Sequence, residues 1–170
     1  SVQQRGSLVS EEKLRFDFSY EKKLTAEQIQ DIENLVNDQI EKEVQTKIRL
    51  MSFEDAKKTG ALAFFGDKYG DNVRVLNIGG DFSVEFCGGT HVKNTAEIGG
   101  LLISNETSVS AGVRRIEAIT GSNLVKKSKE AIELLKKIEG ILNAPAEELP
   151  EKVQNLIKEN KSLKSVSYTH

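Results

Sequence analysis

The chain has 170 residues, enough for one domain of ordinary size plus a helical appendage, with a core that needs no disulfide staples. Its 24 basic and 26 acidic residues leave a net charge of −2, which excludes capture of nucleic acid by global attraction and leaves any such role to local clusters. A single cysteine excludes an internal disulfide and fits a reducing, cytoplasmic compartment, and no apolar run is long enough to cross a membrane.

In chain order, Leu14-Arg15-Phe16-Asp17-Phe18-Ser19 alternates apolar and polar residues, the period of a half-buried strand. Thr25 followed by Gln28 reads as a capping box, and Ile29, Ile32, Val36 and Ile40 form one helical stripe, predicting a helix near residues 25–43 with a core-facing side. Gln45 to Met51 reads as a strand. Ser52 and Asp55 then open a short helix over Phe53 to Lys58, ended by Gly60. A hairpin is predicted from Asn72 to Phe86 around a Gly79-Gly80-Asp81 turn. A Gly-rich loop follows from Cys87 to Gly100, and then two strands, Leu101 to Val109 and Val113 to Thr120, joined near Ser110-Ala111-Gly112.

Composition changes after Gly121. Leu124, Ser128, Ala131, Leu135, Ile138 and Leu142 fall three and four apart until Asn143-Ala144-Pro145 breaks the pattern. Leu149, Val153, Leu156, Asn160 and Leu163 resume it from near Pro150, so residues 122–170 read as an antiparallel helical hairpin. The absence of an initiator methionine and the uncapped end at Ser165-Val166-Ser167 lead us to expect a truncated piece of a longer chain. The expected class is α+β: a mostly antiparallel sheet packed with helices, followed by that hairpin.

Chemistry concentrates at Cys87-Gly88-Gly89-Thr90-His91. Thiolate and imidazole are both good zinc ligands, and a spacing of four within a loop made pliable by two glycines lets both reach one ion. The competing account makes Cys87 a small buried hydrophobe and His91 a loop histidine bonded to backbone, and spacing alone leaves both open. Arg114 and Arg115 cannot share a face of a strand, so one is free to seek phosphate while the other pairs with Glu117 or another acid. Lys126, Lys127 and Lys129 read best as a solvated helix face.

The run Phe82-Ser83-Val84-Glu85-Phe86-Cys87-Gly88-Gly89-Thr90-His91 is similar to the second zinc-ligand motif of alanyl-tRNA synthetase editing domains. Gly112-Val113-Arg114-Arg115-Ile116-Glu117-Ala118-Ile119-Thr120-Gly121 resembles the segment that closes the same domain, and Gln4-Arg5-Gly6-Ser7-Leu8-Val9 and Leu14 to Ser19 resemble two segments near its middle. The four blocks keep the family's order and cover residues 2–121. Threonyl-tRNA synthetase editing domains share the Cys-x-x-x-His idea but neither the Gly-Gly-Thr interior nor the Arg-Arg-Ile-Glu-Ala block. Family sequences usually carry His where Ser1 stands and often His where Tyr20 stands, and we expect neither position to be a zinc ligand.

The resemblance implies that residues 1–121 are the C-terminal part of an editing domain and residues 122–170 the start of a helical connector. It implies zinc on Cys87 and His91, with the other two ligands supplied by an upstream His-x-x-x-His absent here, so that the fragment alone is inactive and its zinc loose or absent. Gln4 and Thr90 become candidate substrate contacts, and Arg114 and Arg115 candidate tRNA contacts. The implied activity is hydrolysis of seryl- or glycyl-tRNA(Ala), because an alanine pocket cannot exclude glycine by size and rejects serine only modestly. Zinc would serve it by activating water or by orienting the ester. The implied partners are the acceptor end of tRNA(Ala) and, through the C-terminal helices, a second copy of the chain. The parent would ligate alanine to tRNA(Ala), with ATP and magnesium confined to a ligase domain outside this chain. The alternatives are a free-standing trans-editing deacylase and a non-catalytic tRNA-binding or dimerisation module.

Overall fold

Thr25 sets the first helix as its sequence requires. Its hydroxyl accepts from the Gln28 amide while the Gln28 side chain accepts from the Thr25 amide, a reciprocal cap that stabilises a helix by about 1 kcal/mol. The computed structural model describes residues 2–62, 70–80 and 82–167, without the side chains of 165–167. Ser1 and Asp81 lie outside the described residues.

The strands are β1 (Gln4–Val9), β2 (Leu14–Ser19), β3 (Lys47–Ser52), β4 (Asn72–Ile78), β5 (Ser83–Phe86), β6 (Leu101–Ser110) and β7 (Val113–Thr120). The helices are α1 (Ala26–Glu41), α2 (Phe53–Lys58), α3 (Gly121–Leu142) and α4 (Leu149–Ser167). They form one four-stranded sheet, β1-β2-β7-β6, and one three-stranded sheet, β3-β4-β5, antiparallel throughout. This is the expected α+β class. Three details differ from the pattern in the sequence. Gln4–Val9 is a strand although it does not alternate, because it pairs with β2 across a bulge at Arg5. The strand placed at Gln45 begins at Lys47, and Gln45 makes an isolated bridge to Asn94 instead. The Gly-rich loop contains a 3-10 turn, Thr95–Ile98, capped at Asn94.

Two cores organise residues 1–124. In the larger sheet Phe16 faces Ile116 and Leu14 faces Ala118, with Phe18 and Ala118 buried. The α1 stripe lies half-buried at Ile29, Ile32 and Val36 and closes on buried Ile40. Asn37 fastens the helix to the sheet by exchanging two hydrogen bonds with the Leu101 backbone, at 2.8 and 2.9 Å, and buried Glu33 accepts from the Ile103 amide. The smaller core is Ala56 of α2 with Val73, Val75 and Phe86, flanked by Met51, Phe53 and Val84. Gly79 and Gly80 join β4 to β5 with φ of 71° and 68°, left-handed values that favour glycine in a tight hairpin.

Residues 125–170 form a separate unit. The predicted break falls where expected: α3 stops at Leu142, Asn143 takes φ 45°, and α4 begins at Leu149, one residue before Pro150. Burial is concentrated at this break. Ala144 and Leu149 are buried, and Glu139 accepts from the Ala146 amide, whereas Ile132, Leu135, Val153, Leu156 and Leu163 remain exposed. Among the described residues no helix is long and apolar enough to cross a membrane.

Candidate metal centre

The site is a continuation of the small hairpin. Ile78 faces Ser83 and Val75 faces Phe86, so the next step of the register sets Arg74 opposite Cys87, and the Cys87 amide donates to the Arg74 carbonyl at 3.1 Å. Phe86 is 3% exposed and anchors the strand end in the core, which turns half-buried Cys87 to the opposite side of the pleat. The chain then doubles back through Gly88 and Gly89 and brings His91 Nε2 to 3.1 Å from Cys87 Sγ. A Cβ added at Gly89 would lie 3.7 Å from both of those atoms, so the glycine leaves the space beside them open.

The far end of the loop is also tied down. The Thr46 amide donates to the Lys93 carbonyl. Thr95, 3% exposed, donates its hydroxyl to the Gln39 carbonyl at the end of α1 and accepts from the Val44 amide, and its own amide donates to the Val44 carbonyl. The Cys87–His91 turn is therefore held between a buried phenylalanine on one side and a buried threonine on the other.

Partial withdrawal from water lowers the His91 imidazole from its ordinary value, the nearby Arg74 charge lowers it further, and the Glu85 carboxylate opposes both. The shift favours the uncharged ring, the form that coordinates metal. The pair meets at hydrogen-bond distance, 3.1 Å, and a small opening would bring it to the roughly 3.5 Å that separates a thiolate at ~2.3 Å from an imidazole at ~2.0 Å on a tetrahedral zinc. Among the described residues no third His, Cys, Asp or Glu joins them.

The other candidates lie as follows. Thr90 is exposed between the two ligand candidates. Gln4 is half-buried on edge strand β1 of the other sheet, where its amide donates to Ser7 Oγ at 3.1 Å. Arg114 and Arg115 take opposite faces of β7, and both meet acids. Arg114 pairs with Glu106, and Arg115 donates twice to Asp17, at 2.7 and 2.8 Å. Glu117 binds Lys13 instead of an arginine. Lys127 pairs with Glu130 on an exposed helix face. Two positions that pattern reading missed are Arg74 and Thr95. Arg74 donates to the carbonyls of both Cys87 (2.7 Å) and Gly89. The hairpin register, counted back from the Gly79-Gly80 turn, was the signal that would have paired it with Cys87.

The Arg115–Asp17 pair makes stability depend on pH. Hydrogen bonding from Arg115 holds the Asp17 carboxyl below its ordinary value of 3.8, against the opposing effect of burial. The folded value lies below the unfolded one, so the contribution is complete above about pH 4 and is lost as pH falls through the folded value. Asp17→Asn is therefore expected to lower the melting temperature by several degrees at pH 7 and by less at pH 2. Thermal melts at both pH values check this, and an equal loss at both would remove the electrostatic explanation.

Residues 73–117, which contain Arg74, Cys87, Thr90, His91 and Thr95, match the family described as the threonyl and alanyl tRNA synthetase second additional domain. The class that this match points to is a domain found in aminoacyl-tRNA synthetases. The alanine–tRNA ligases of Bordetella pertussis and Fervidobacterium nodosum are each 49% identical to the chain over 162 residues, 95% of its length, and that of Alkaliphilus metalliredigens is 49% identical over 160 residues. The chain thus matches a segment of alanyl-tRNA synthetase, spanning 18–19% of the length of these relatives.

Proposed function

We propose that residues 1–121 are part of the editing domain of an alanyl-tRNA synthetase, contributing half of a zinc site that hydrolyses seryl- or glycyl-tRNA(Ala). The observation that carries this is the convergence of Cys87 Sγ and His91 Nε2 at 3.1 Å beside the open face of Gly89. Zinc held there would serve the reaction by activating water or by orienting the ester. Cys87 and His91 would hold that centre, and Thr90, next to His91, and Gln4, on β1 of the other sheet, are the proposed substrate contacts. Arg115, whose side chain is 28% exposed against 12% for Arg114, is the more accessible of the two candidate tRNA contacts.

Residues 122–170 begin a connector, and the apolar side chains exposed on α3 and α4 support pairing with a second copy. The parent ligates alanine to tRNA(Ala) in the cytoplasm, using ATP and magnesium in a ligase domain elsewhere. The free-standing deacylase is the weaker reading, because the relatives are named as ligases and are about five times as long.

Elemental analysis tests the proposal. The full-length enzyme is expected to hold zinc that Cys87→Ala/His91→Ala removes, while the 170-residue chain, with two ligands, holds it loosely. Equal zinc in the full-length enzyme and the double variant would sink the assignment of Cys87 and His91.

A further inference from the structure

We infer that Arg74 is a positioning residue for this site, and the inference rests on the reading of Cys87 and His91 as ligands. The Cys87-Gly88-Gly89-Thr90-His91 turn contains two glycines, so its backbone has a wide choice of conformations that do not bring sulfur and nitrogen together. What removes that choice is a single guanidinium. Arg74 Nη1 donates to the Cys87 carbonyl and also to the Gly89 carbonyl, bridging the two ends of the flexible dipeptide step. The Arg74 carbonyl meanwhile accepts from the Cys87 amide. One residue therefore fixes the backbone on both sides of Cys87 and at Gly89.

Among the described residues, no other contact of the loop duplicates this. Phe86 holds the chain before Cys87, and the next firm attachments are at Lys93 and Thr95, beyond His91. Gly88, Gly89 and Thr90 are exposed, and core packing does not hold them. Both bonds come from one nitrogen, Nη1, whose two hydrogens are held in the plane of a rigid guanidinium, a fixed direction that lysine, a rotating point charge on a flexible stem, does not reproduce. Arg74 is also held in place, since β4 pairs with β3 on one side and β5 on the other, with buried Val73 and Val75 as its chain neighbours. Its function is to place the two side chains at ligand spacing before any metal arrives, which is preorganisation by an outer-shell donor.

The test uses Arg74→Gln and Arg74→Lys, with two readouts. In the metal-free 170-residue chain, the nuclear Overhauser effect between the Cys87 β-protons and the His91 ring reports their proximity, and the amide shifts of β4 and β5 report the fold. The effect is expected to be present in the wild type and lost in Arg74→Gln with the strand shifts retained, and weakened in Arg74→Lys. Wild-type intensity in both variants would overturn the inference. Should Arg74→Gln disturb the strands, Arg74→Lys decides alone, because it keeps the charge and the stem.

In the full-length enzyme, cobalt(II) bound at the site is expected to show thiolate charge-transfer absorbance, with affinity weakened roughly 10- to 100-fold by Arg74→Gln. Affinity unchanged in that variant also overturns the inference. Wild-type enzyme with no such absorbance, but with the proximity lost on substitution in the metal-free chain, removes the metal reading and leaves the positioning role of Arg74 standing.

Discussion

Cys87→Ala in the full-length synthetase is expected to slow hydrolysis of seryl-tRNA(Ala) by about 100-fold or more, with aminoacylation by alanine unchanged. The magnitude follows from what a metal contributes to acyl transfer, several kcal/mol of charge stabilisation, at about 1.4 kcal/mol for each factor of ten in rate. Cys87 is one of two side chains that converge on the proposed centre, and among the described residues nothing stands ready to replace it. His91→Ala should act to a similar degree, and the double variant little further, because both changes remove the same centre. Deacylation of purified seryl-tRNA(Ala) measures the effect, with aminoacylation in the same preparations as the control for folding. A loss of only two- or three-fold would mean that Cys87 is the small buried residue of the competing account, and that the chemistry lies elsewhere.

The parts of this arrangement that were legible in the sequence are those where one local rule acts alone. Thr25 with Gln28, Ser52 with Asp55, and Gly79-Gly80 each specify a cap or turn within four residues, and each forms as its residues require. Alternation in Leu14–Ser19 predicted β2 to the residue because one face of it is buried and the other carries the Arg115–Asp17 pair. Edge strand β1 was not legible: four of its six residues are exposed, so neither face imposes a pattern, and it exists through pairing with β2. The candidate site was half legible. Cys87 and His91 stand out by type and spacing. Arg74 and Thr95 act on backbone groups distant in the chain: register could have paired Arg74 with Cys87, but the carbonyls that its guanidinium and the Thr95 hydroxyl reach are chosen by the fold. The arginines of β7 show the same limit: alternation placed them on opposite faces, but only the fold brings Asp17 and Glu106 to them.

Phe86→Ala is expected to destabilise the chain by about 3–5 kcal/mol, the range for emptying a buried aromatic site. Phe86 is 3% exposed, stacks edge-on to Phe53 with ring centroids 5.9 Å apart, and shares its core with Ala56, Val73 and Val75. Among the described residues, Ala56 and the two valines that share this core are too short to close over the vacated volume. Loss on this scale is a large share of the stability of an ordinary domain. Urea denaturation followed by circular dichroism checks it, and Phe86→Leu, which keeps much of the volume, should lose distinctly less. The consequence for the site follows from adjacency. Cys87 is the next residue, and its direction out of the sheet is set by the burial of the ring before it, so the alanine variant should also scatter the Cys87–His91 pair even at temperatures where it remains folded. If it lost under 1 kcal/mol, the β4–β5 hairpin would be held by its turn and ladder alone, and the ring would not be what aims Cys87.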